Sequence, residues 1–375
     1  MSDRRLSAAR LFAWGSPEAI PFARRGLLLV LSAEDSEAVG LGEAAPLAGF
    51  SLETLEDGER ALRRVPWADV VVPRELDELF AVTAAAAGGA RERAARFALE
   101  TALGSLAAWG RGVSLATFLA RREIASAVPR SVLVGRVGEE NALERTDRAA
   151  RAGARSLKLK HSRPDHEATA AFLERVRAVA EAHLGARPAL RVDYNGALDV
   201  RDVAPALTAL ARAGVELVEE PCRGAALLEL GPFDVPWLAD ESLVDESLRA
   251  RLLAHPHVGG FVLKPTLLGG LAVSLRIADV ARDRGLPVVV THAFEGPVGL
   301  AACAELALAL AGREGQRALA PGVDDHAVSR TFAPAHVAQV RASDGLVRPS
   351  GAPGLGPLSI ATDPLEEVFA WTRSR

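Results

Sequence analysis

The sequence predicts an α/β protein in which a closed barrel of parallel strands follows a separate α+β module. From about residue 130, short β-type runs alternate with amphipathic, helix-compatible intervals, the pattern of parallel βαβ units. Seven such runs are visible and a weaker eighth lies near residues 317–323, a number that favours a barrel over the alternative, an open doubly wound sheet. The first ~125 residues lack this alternation, which indicates a module of their own.

The first module opens with two strand-like runs, at residues 7–14 and 26–32, and continues with helical stretches that include residues 91–112. We predict that this module spans residues 1–128, that the barrel spans 129–330, and that a Pro- and Gly-rich tail, 331–375, returns to the first module. Residues 40–45, "GLGEAA", fit a dinucleotide-binding pattern by letter. Pro46 would break a helix starting there, so we reject that interpretation.

The barrel strands follow one another at a regular pitch, and their sequences are "SVLVGRV", "SLKLK", "ALRVDYN", "VELVEEP", "PWLADES", "GFVLKPT" and "PVVVTHAFE", with "RALAPGV" as the weaker eighth. Intervals such as "HEATAAFLERVRAVAEAHLG" and "SLRIADVARDRG" are amphipathic at helical spacing. Each strand and the helix after it therefore form one βα unit.

Composition excludes several classes of partner. A chain of 375 residues, 49% hydrophobic, can form one large domain or two domains with separate cores. The formal charge of −4 argues against nucleic acid or an anionic membrane as the main partner, and no apolar stretch approaches the ~18 residues of a membrane span. Two cysteines, Cys222 and Cys303, make no disulfide framework, which predicts a cytoplasmic location.

Polar residues stand at the carboxyl end of strand after strand: Lys158 and Lys160, Asp193 with Asn195, Glu219 with Glu220, Asp240 with Glu241, Lys264, and Glu295. Successive spacings from Lys160 are 33, 26, 21, 24 and 31 residues, each about one βα unit. In a barrel these ends meet at one face, where active sites form. One charged strand end is usually a solvated cap, but six in succession predict a functional site.

The chemistry of these residues is consistent. Asp193, Glu219 and Asp240 would place three mutually repelling carboxylates on adjacent strands, and a divalent cation would remove the repulsion. Oxygen ligands without His or Cys favour Mg²⁺, with Mn²⁺ as a substitute. Lys160 and Lys264 would flank the metal, where nearby positive charge lowers a lysine pKa toward the range of a base. This arrangement predicts proton removal beside a substrate carboxylate, giving an enediolate.

The series K-x-K, D-x-N, E-E-P, A-D-E-S and the lysine of "LKP", on successive strands, resembles the enolase superfamily, in its muconate-lactonizing branch. "GEAAPLAGFSLETL" resembles the substrate-capping loop of that family and "FALETALGSLAA" the helix before its barrel. The resemblance covers nearly the whole chain. It implies a TIM-like (β/α)7β barrel with an α+β capping domain formed by the N-terminal segment and the C-terminal tail, and a small-molecule carboxylate substrate.

Within that branch, "GEAAPLAGFS", "LRVDYNG", "LKPTLLGGL" and "FEGPVGLAA" are most similar to the o-succinylbenzoate synthase family. The resemblance implies that the three carboxylates bind magnesium, that Lys160 is the base and that Lys264 steadies the enediolate. The implied reaction is a dehydration in menaquinone synthesis. N-succinylamino acid racemisation or dipeptide epimerisation is the alternative, since both lysines are present, and a non-catalytic barrel would have lost some of these five residues.

Substrate contacts are predicted for seven residues: Lys158, Arg191, Asn195, Gly49, Phe50, Glu295 and Gly296. The loop 49–54 is expected to reach over the barrel mouth. Arg191 either anchors a substrate carboxylate or forms a salt bridge inside the barrel. His292 and Gly296 stand where the family has small hydroxyl residues, and His292 is either packed against backbone or a second base. Residues 324–325 do not reproduce the acidic pair of dipeptide epimerases. The oligomeric state, monomer or homo-oligomer, is open.

Overall fold

The computed structural model describes residues 4–16, 23–34, 36–162, 166–324, 326, 328, 344–356 and 365–374. The strands are β1 (Leu6–Gly15), β2 (Arg25–Ala33), β3 (Val39–Ala44), β4 (Val128–Pro129), β5 (Ser131–Arg136), β6 (Ser156–Lys160), β7 (Ala189–Asp193), β8 (Leu217–Glu219), β9 (Trp237–Ala239), β10 (Gly260–Leu263), β11 (Pro287–Val290), β12 (Arg317–Ala318), β13 (Leu346–Val347) and β14 (Glu366–Thr372). The α-helices are α1 (Leu55–Arg63), α2 (Leu76–Ala86), α3 (Arg93–Gly110), α4 (Leu115–Ala120), α5 (Glu140–Arg151), α6 (His166–Leu184), α7 (Val200–Arg212), α8 (Glu246–Ala254), α9 (Pro265–Leu268), α10 (Leu271–Asp283) and α11 (Pro297–Ala311).

A four-stranded antiparallel sheet, in the order β14–β1–β2–β3, forms the capping domain together with α1 to α4. Strand β3 packs directly on α3. A Cβ atom on Gly42 would lie 1.9 Å from the carbonyl oxygen of Ala98, and one on Gly40 would lie 2.4 Å from that of Ala102. The two glycines of "GLGEAA" therefore serve close strand–helix packing, and the strand they occupy was not predicted.

Eight parallel strands, in the order β5 to β12, form the barrel sheet, which confirms the predicted fold class. The amide of Ser131 in β5 donates to the carbonyl of Pro321, just after β12, at 2.8 Å and links the first strand to the last. Between β8 and β9 the chain forms a 3₁₀ helix, Gly224–Glu229, instead of an α-helix. In the part of the chain described here, no helix is long and apolar enough to cross a membrane.

An apolar layer lies in the barrel on the amino-terminal side of the polar strand ends. It consists of one buried side chain from each of four successive strands: Leu217, Leu238, Val262 and Val289. Branched side chains of this kind close that end of the barrel to solvent. The polar residues lie on the carboxyl-terminal side of this layer.

The C-terminal strand returns to the cap. β14 pairs antiparallel with β1, and β13 pairs with β4, the short strand before the barrel. The capping sheet is thus built from both ends of the chain, as the fold class predicted. The domain limits at residues 128 and 330 stay a prediction, and residues 331–343 lie outside the described part.

Buried glutamates join the cap to the barrel. Glu100 of α3 accepts the amide of Ala272 at the start of α10 (3.0 Å), and Glu305 of α11 accepts that of Ala116 at the start of α4 (2.7 Å). Glu43 of β3 accepts amides at the start of α11. Helix N-termini favour negative charge, so each contact stabilises the interface. Burial nevertheless raises the pKa of Glu43 to about 8 and those of Glu100 and Glu305 to about 7.

Candidate active site

A cavity of about 380 Å³ lies at the carboxyl ends of the barrel strands, beneath the cap. Its barrel side includes Lys158, Lys160, Asp193, Asn195 and Lys264. The sequence predicted this meeting of strand ends from their spacing alone, and the structure brings these five residues together.

Strand register explains how the residues come together. The parallel pairing of β6 with β7 sets Lys160 beside Asp193, and that of β7 with β8 sets Asp193 beside Glu219. Residues two apart on a strand share a face, so Lys158 joins Lys160 inside the barrel. The leucines between them, at positions 157 and 159, are fully buried on the other face, against the helices. The unusual "SLKLK" alternation is thus a strand with a polar interior face.

Asp193, Glu219 and Asp240 form a triad of buried carboxylates, and one oxygen atom from each lies within 4.8 Å of those from the other two. Oδ1 of Asp240 is buried and has no hydrogen-bond partner among the described residues, and neither has Oε2 of the adjacent Glu241. Unpaired buried oxygens of this kind are unfavourable unless a ligand binds them. A compact set of hard oxygen donors fits a divalent cation, so the triad can hold a metal ion.

Two ammonium groups contact the triad. Nζ of Lys158 lies 3.0 Å from Asp193 Oδ2 and donates to Glu219, while Nζ of Lys264 lies 2.7 Å from Asp240 Oδ2 and 2.6 Å from Glu241 Oε1. Burial lowers the pKa of each lysine, but the carboxylates outweigh it and hold both pKa values above the ordinary value. The pKa of Lys264 is raised because Asp240 and Glu241 face it directly; the lowered pKa predicted for Lys264 beside a bound divalent cation stays a prediction.

Lys160 differs from the other two lysines. It forms no ion pair with any residue that the structure describes, and its pKa is lowered, chiefly by burial and further by the charges of Lys158 and Lys264. Asp193 opposes this effect. The predicted direction is confirmed, although burial contributes more than the like charge of Lys158. Lys160 is the lysine of the site with the greatest tendency to become a neutral amine.

A further layer of polar residues orients the carboxylates. The Asn195 amide donates to Asp193 Oδ1 (2.9 Å), and its side chain donates to Glu241 Oε1 (3.1 Å). Glu220 accepts from the amide of Asp240 at 2.7 Å. Asn195 and Glu220 have φ of 46° and 39°, a left-handed conformation that is costly without glycine. These sharp backbone turns orient Asn195 and Glu220 toward the carboxylates and the backbone around them. The sequence did not reveal that Glu220 and Glu241 have this supporting role.

Arg24 ties the cap to the segment after β11, and no sequence signal pointed to it. Its buried guanidinium donates to the carbonyls of Ala45 (2.8 Å), Pro46 (2.8 Å), Ala293 (3.2 Å) and Phe294 (3.1 Å). The first two carbonyls belong to the cap and the last two to the barrel. One side chain thus fixes the capping loop against the wall of the cavity.

The capping loop reaches the cavity through Leu47, Ala48 and Phe50. Phe50, predicted to contact substrate, lines the cavity and is 41% exposed. Gly49, predicted with it, does not line the cavity. Its φ of 84° requires glycine, so its role is to form the turn that presents Phe50.

Arg191 is not a substrate contact in this structure. It is 1% exposed, and it donates from Nε to Glu216 (2.6 Å) and from Nη1 to the carbonyl of Ala320 (2.6 Å). Two residues before Asp193 on the same strand face, it lies one layer deeper in the barrel. The alternative of a salt bridge inside the barrel is the correct one.

Glu295 and Gly296 also lie away from the cavity. Glu295 is fully buried and accepts from the Thr266 hydroxyl (2.5 Å) and the Ala293 amide (2.6 Å). Gly296 donates its amide to Glu43. Both predicted substrate contacts are therefore wrong, because these residues build the interface between cap and barrel.

Residues 324 and 325 were compared above with the acidic pair of dipeptide epimerases. Residue 325 lies outside the described part of the chain.

His292 does line the cavity. Its Nδ1 accepts the amide of Phe294 at 3.0 Å, and its ring stacks on His326 with centroids 4.4 Å apart. The expected packing with a backbone hydrogen bond is thus what the structure contains.

Comparisons with known proteins agree with this geometry. Residues 141–358 match the family model described as "Enolase C-terminal domain-like". A relative from Thermobifida fusca, named o-succinylbenzoate synthase, is 39% identical over 189 residues, which are 49% of this chain and 56% of that protein. A second of that name, from Mycolicibacterium smegmatis, is 36% identical over 40% of this chain and 44% of its own. The matched part is thus about half the length of these curated relatives.

Solved structures match nearly the whole chain. A dipeptide epimerase from Methylococcus capsulatus, solved in complex with a magnesium ion, has a TM-score of 0.79 and 27% identity, covering 94% of this chain and 99% of its own. An enolase superfamily member from Roseovarius nubinhibens has a TM-score of 0.80 at 20% identity, covering 100% and 99%. With the family model matching more than half of its residues, the chain belongs to the enolase C-terminal domain-like family.

Proposed function

We propose that this protein is an o-succinylbenzoate synthase, which dehydrates 2-succinyl-6-hydroxy-2,4-cyclohexadiene-1-carboxylate in menaquinone biosynthesis. The observation that carries the proposal is the triad of carboxylates within 4.8 Å, with Lys160 contributed by a strand on one side and Lys264 by a strand on the other. The two curated relatives of that name, at 39% and 36% identity, support the choice of substrate.

Lys160 is the proposed base. As the lysine without an ion pair to a described residue and with a lowered pKa, it supplies a neutral amine that takes the proton from the ring carbon beside the substrate carboxylate. The electrons of that C–H bond move into the carboxylate and form an enediolate. The electrons then return as the bond from the ring to the hydroxyl breaks. The Lys160 ammonium protonates the departing hydroxide, so water leaves and the ring becomes aromatic.

Lys264 and the triad stabilise the charge that develops. The Lys264 ammonium stays protonated and faces the enediolate across the site, while Asp193, Glu219 and Asp240 would hold the metal ion. When bound, Mg²⁺, or Mn²⁺ in its place, supplies positive charge that stabilises the enediolate. The capping loop, through Phe50, excludes water and so strengthens these charge interactions.

A racemase or epimerase acting on an N-succinylamino acid or a dipeptide is the second candidate. Two lysines on opposite sides of the site, Lys160 and Lys264, can exchange protons with the two faces of one carbon. The structural match to a dipeptide epimerase supports this candidate as well. The two reactions differ in the demand on Lys264, which must release its proton for racemisation and must keep it for dehydration.

The deciding experiment supplies both substrates to purified protein with Mg²⁺. We expect o-succinylbenzoate to form, formation to stop with EDTA, and Mg²⁺ or Mn²⁺ to restore it. In parallel, an N-succinylamino acid is incubated in D₂O. Deuterium incorporation and interconversion of both enantiomers, faster than o-succinylbenzoate forms, would replace the first candidate by the second. Lys160→Ala serves as the control, because it disables either reaction without touching the three carboxylates.

We also propose a small-molecule carboxylate as the partner of this site and the cytoplasm as the location of the reaction. Both cysteines, Cys222 and Cys303, are buried free thiols, which fits a reducing compartment. A monomer and a homo-oligomer both accommodate the site, since every proposed residue comes from one chain.

A further inference from the structure

His292 occupies a fixed position on the cavity wall. It follows β11 by two residues and is half-buried, and the cavity includes it among its lining residues. Its ring stacks on His326 at an interplanar angle of 27° and meets Phe294 edge-on, with centroids 5.2 Å apart. Aromatic contacts on two sides leave the imidazole little freedom to rotate.

The backbone determines which ring nitrogen of His292 carries the proton. Phe294 adopts a left-handed conformation, with φ of 58°, which turns its amide back toward the ring two residues earlier. That amide donates to Nδ1 at 3.0 Å, so Nδ1 must offer its lone pair. In a neutral imidazole the proton is then on Nε2. Nε2 has no hydrogen-bond partner among the residues that the structure describes, and its N–H is available to a ligand.

The surroundings keep this imidazole neutral. Burial lowers the pKa of His292 well below its ordinary value, and the charges of His326, Lys158, Lys264 and Lys160 lower it further. A cationic His292 would add a positive charge to a cavity that already contains the ammonium groups of Lys158 and Lys264. The group presented to the cavity is therefore a neutral N–H donor, unsuited to pairing with an anion or to exchanging a proton.

Two neighbouring hydrogen-bond donors on the same wall already donate to backbone carbonyls. The guanidinium of Arg24 donates to four backbone carbonyls, and the Thr291 hydroxyl donates to the carbonyl of Gly322 at 2.9 Å. Nearby, the cap contributes apolar groups, Leu47 and Phe50. A neutral donor on this wall matches a neutral acceptor, because Nε2–H supplies a hydrogen bond and no charge.

We propose that His292 determines specificity by donating a hydrogen bond from Nε2–H to a neutral carbonyl oxygen of the substrate. Resting on the proposed function, this inference identifies the acceptor as the ketone oxygen of the succinyl group, next to the ring. His292 thus recognises a part of the substrate that does not react. It takes no part in proton transfer and is distinct from the lysines.

Two variants separate the two ring nitrogens. His292→Asn retains an acceptor near the Nδ1 position, so it preserves the contact with the Phe294 amide, but it removes the Nε2 donor. His292→Gln places an amide N–H near the Nε2 position and serves as the matched control. Thermal unfolding of both variants verifies that they fold as the parent protein does.

The assay is calorimetric binding, in Mg²⁺, of o-succinylbenzoate and of 2-(3-carboxypropyl)benzoate, in which a methylene replaces the ketone. We expect the parent protein and His292→Gln to prefer the ketone by about tenfold, the effect of one hydrogen bond, and His292→Asn to bind both alike. An undiminished preference in His292→Asn would overturn the inference while leaving the proposed function intact. If the parent protein bound neither ligand, the proposed function would fail, and this assignment with it.

Discussion

Replacing Glu43 by Gln tests whether a buried carboxylate at the cap interface makes stability depend on pH. Glu43 is fully buried and accepts the amides of Gly296, Val298 (3.1 Å) and Gly299 (2.8 Å) at the start of α11. Burial raises its pKa from 4.5 to about 8, although the amides and Arg24 oppose the rise. Glutamine has the shape of the protonated acid and cannot ionise. The substitution therefore removes the titration. Its NH2 group cannot accept a helix amide, but that loss does not change with pH, so only the pH dependence is compared.

The sign follows from proton binding. Between pH 4.5 and 8 the folded protein holds a proton on Glu43 that the unfolded chain has lost, so the free energy of unfolding falls as pH rises. A pKa difference of about 3.5, at about 1.4 kcal/mol per pKa unit, corresponds to about 5 kcal/mol over the whole window. Between pH 5 and 7.5 we expect Glu43→Gln to gain about 3 kcal/mol relative to the parent protein.

The measurement is urea unfolding at several pH values, followed by tryptophan fluorescence, because Trp14 lies in the cap and Trp237 in the barrel. Glu37→Gln, at an exposed position just before β3, is the matched control and should track the parent protein throughout. A difference between Glu43→Gln and the parent that stays constant from pH 5 to 7.5 would refute the reasoning. It would mean that the helix amides and Arg24 outweigh burial, so that Glu43 is ionised at every pH tested.

Three further outcomes are expected. Lys160→Ala should lower kcat at least ~10²–10⁴-fold with Mg²⁺ affinity unchanged, and an activity near that of the parent would exclude it as the base. Asp240→Asn should weaken Mg²⁺ binding in calorimetry, whereas an unaltered affinity would remove Asp240 from the ligands. Arg191→Met should reduce the free energy of unfolding by about 1–3 kcal/mol, because it removes the hydrogen bond between Arg191 and Glu216. It should leave KM unchanged, and a raised KM would show that Arg191 contacts the substrate.

The sequence predicted those parts of the site that depend on strand spacing. Side-chain alternation on a strand and the convergence of parallel strands are rigid geometric rules, so Lys160 and Asp193 could be placed beside each other from their positions alone. The eighth strand, only two residues long, was predicted as well, because the rhythm of the earlier units required it.

The sequence could not predict contacts made between distant segments. Arg24 and Phe294 form a hydrogen bond although they are 270 residues apart in the sequence, and Glu43 and Gly299 do so although they are 256 residues apart. No local sequence pattern predicts either pair. Arg191 was misplaced for a related reason. Side-chain alternation shows which face of a strand a residue lies on, but not how far along the barrel axis it lies. Arg191 is only two residues before Asp193, yet it forms a salt bridge inside the barrel while Asp193 lines the cavity.

The Arg24 clamp has a consequence for how a ligand gets in and out. Since its guanidinium donates to Ala45 and Pro46 of the cap and to Ala293 and Phe294 of the barrel, the base of the capping loop cannot separate from the barrel without breaking two hydrogen bonds to one charged group. Only the tip beyond the clamp is left to move, where the exposed Phe50 and Leu52 lie. If the proposed reaction takes place in this cavity, a short apolar flap on a fixed hinge would control the entry of substrate and the release of product, and the size of these two side chains would set how long a product stays.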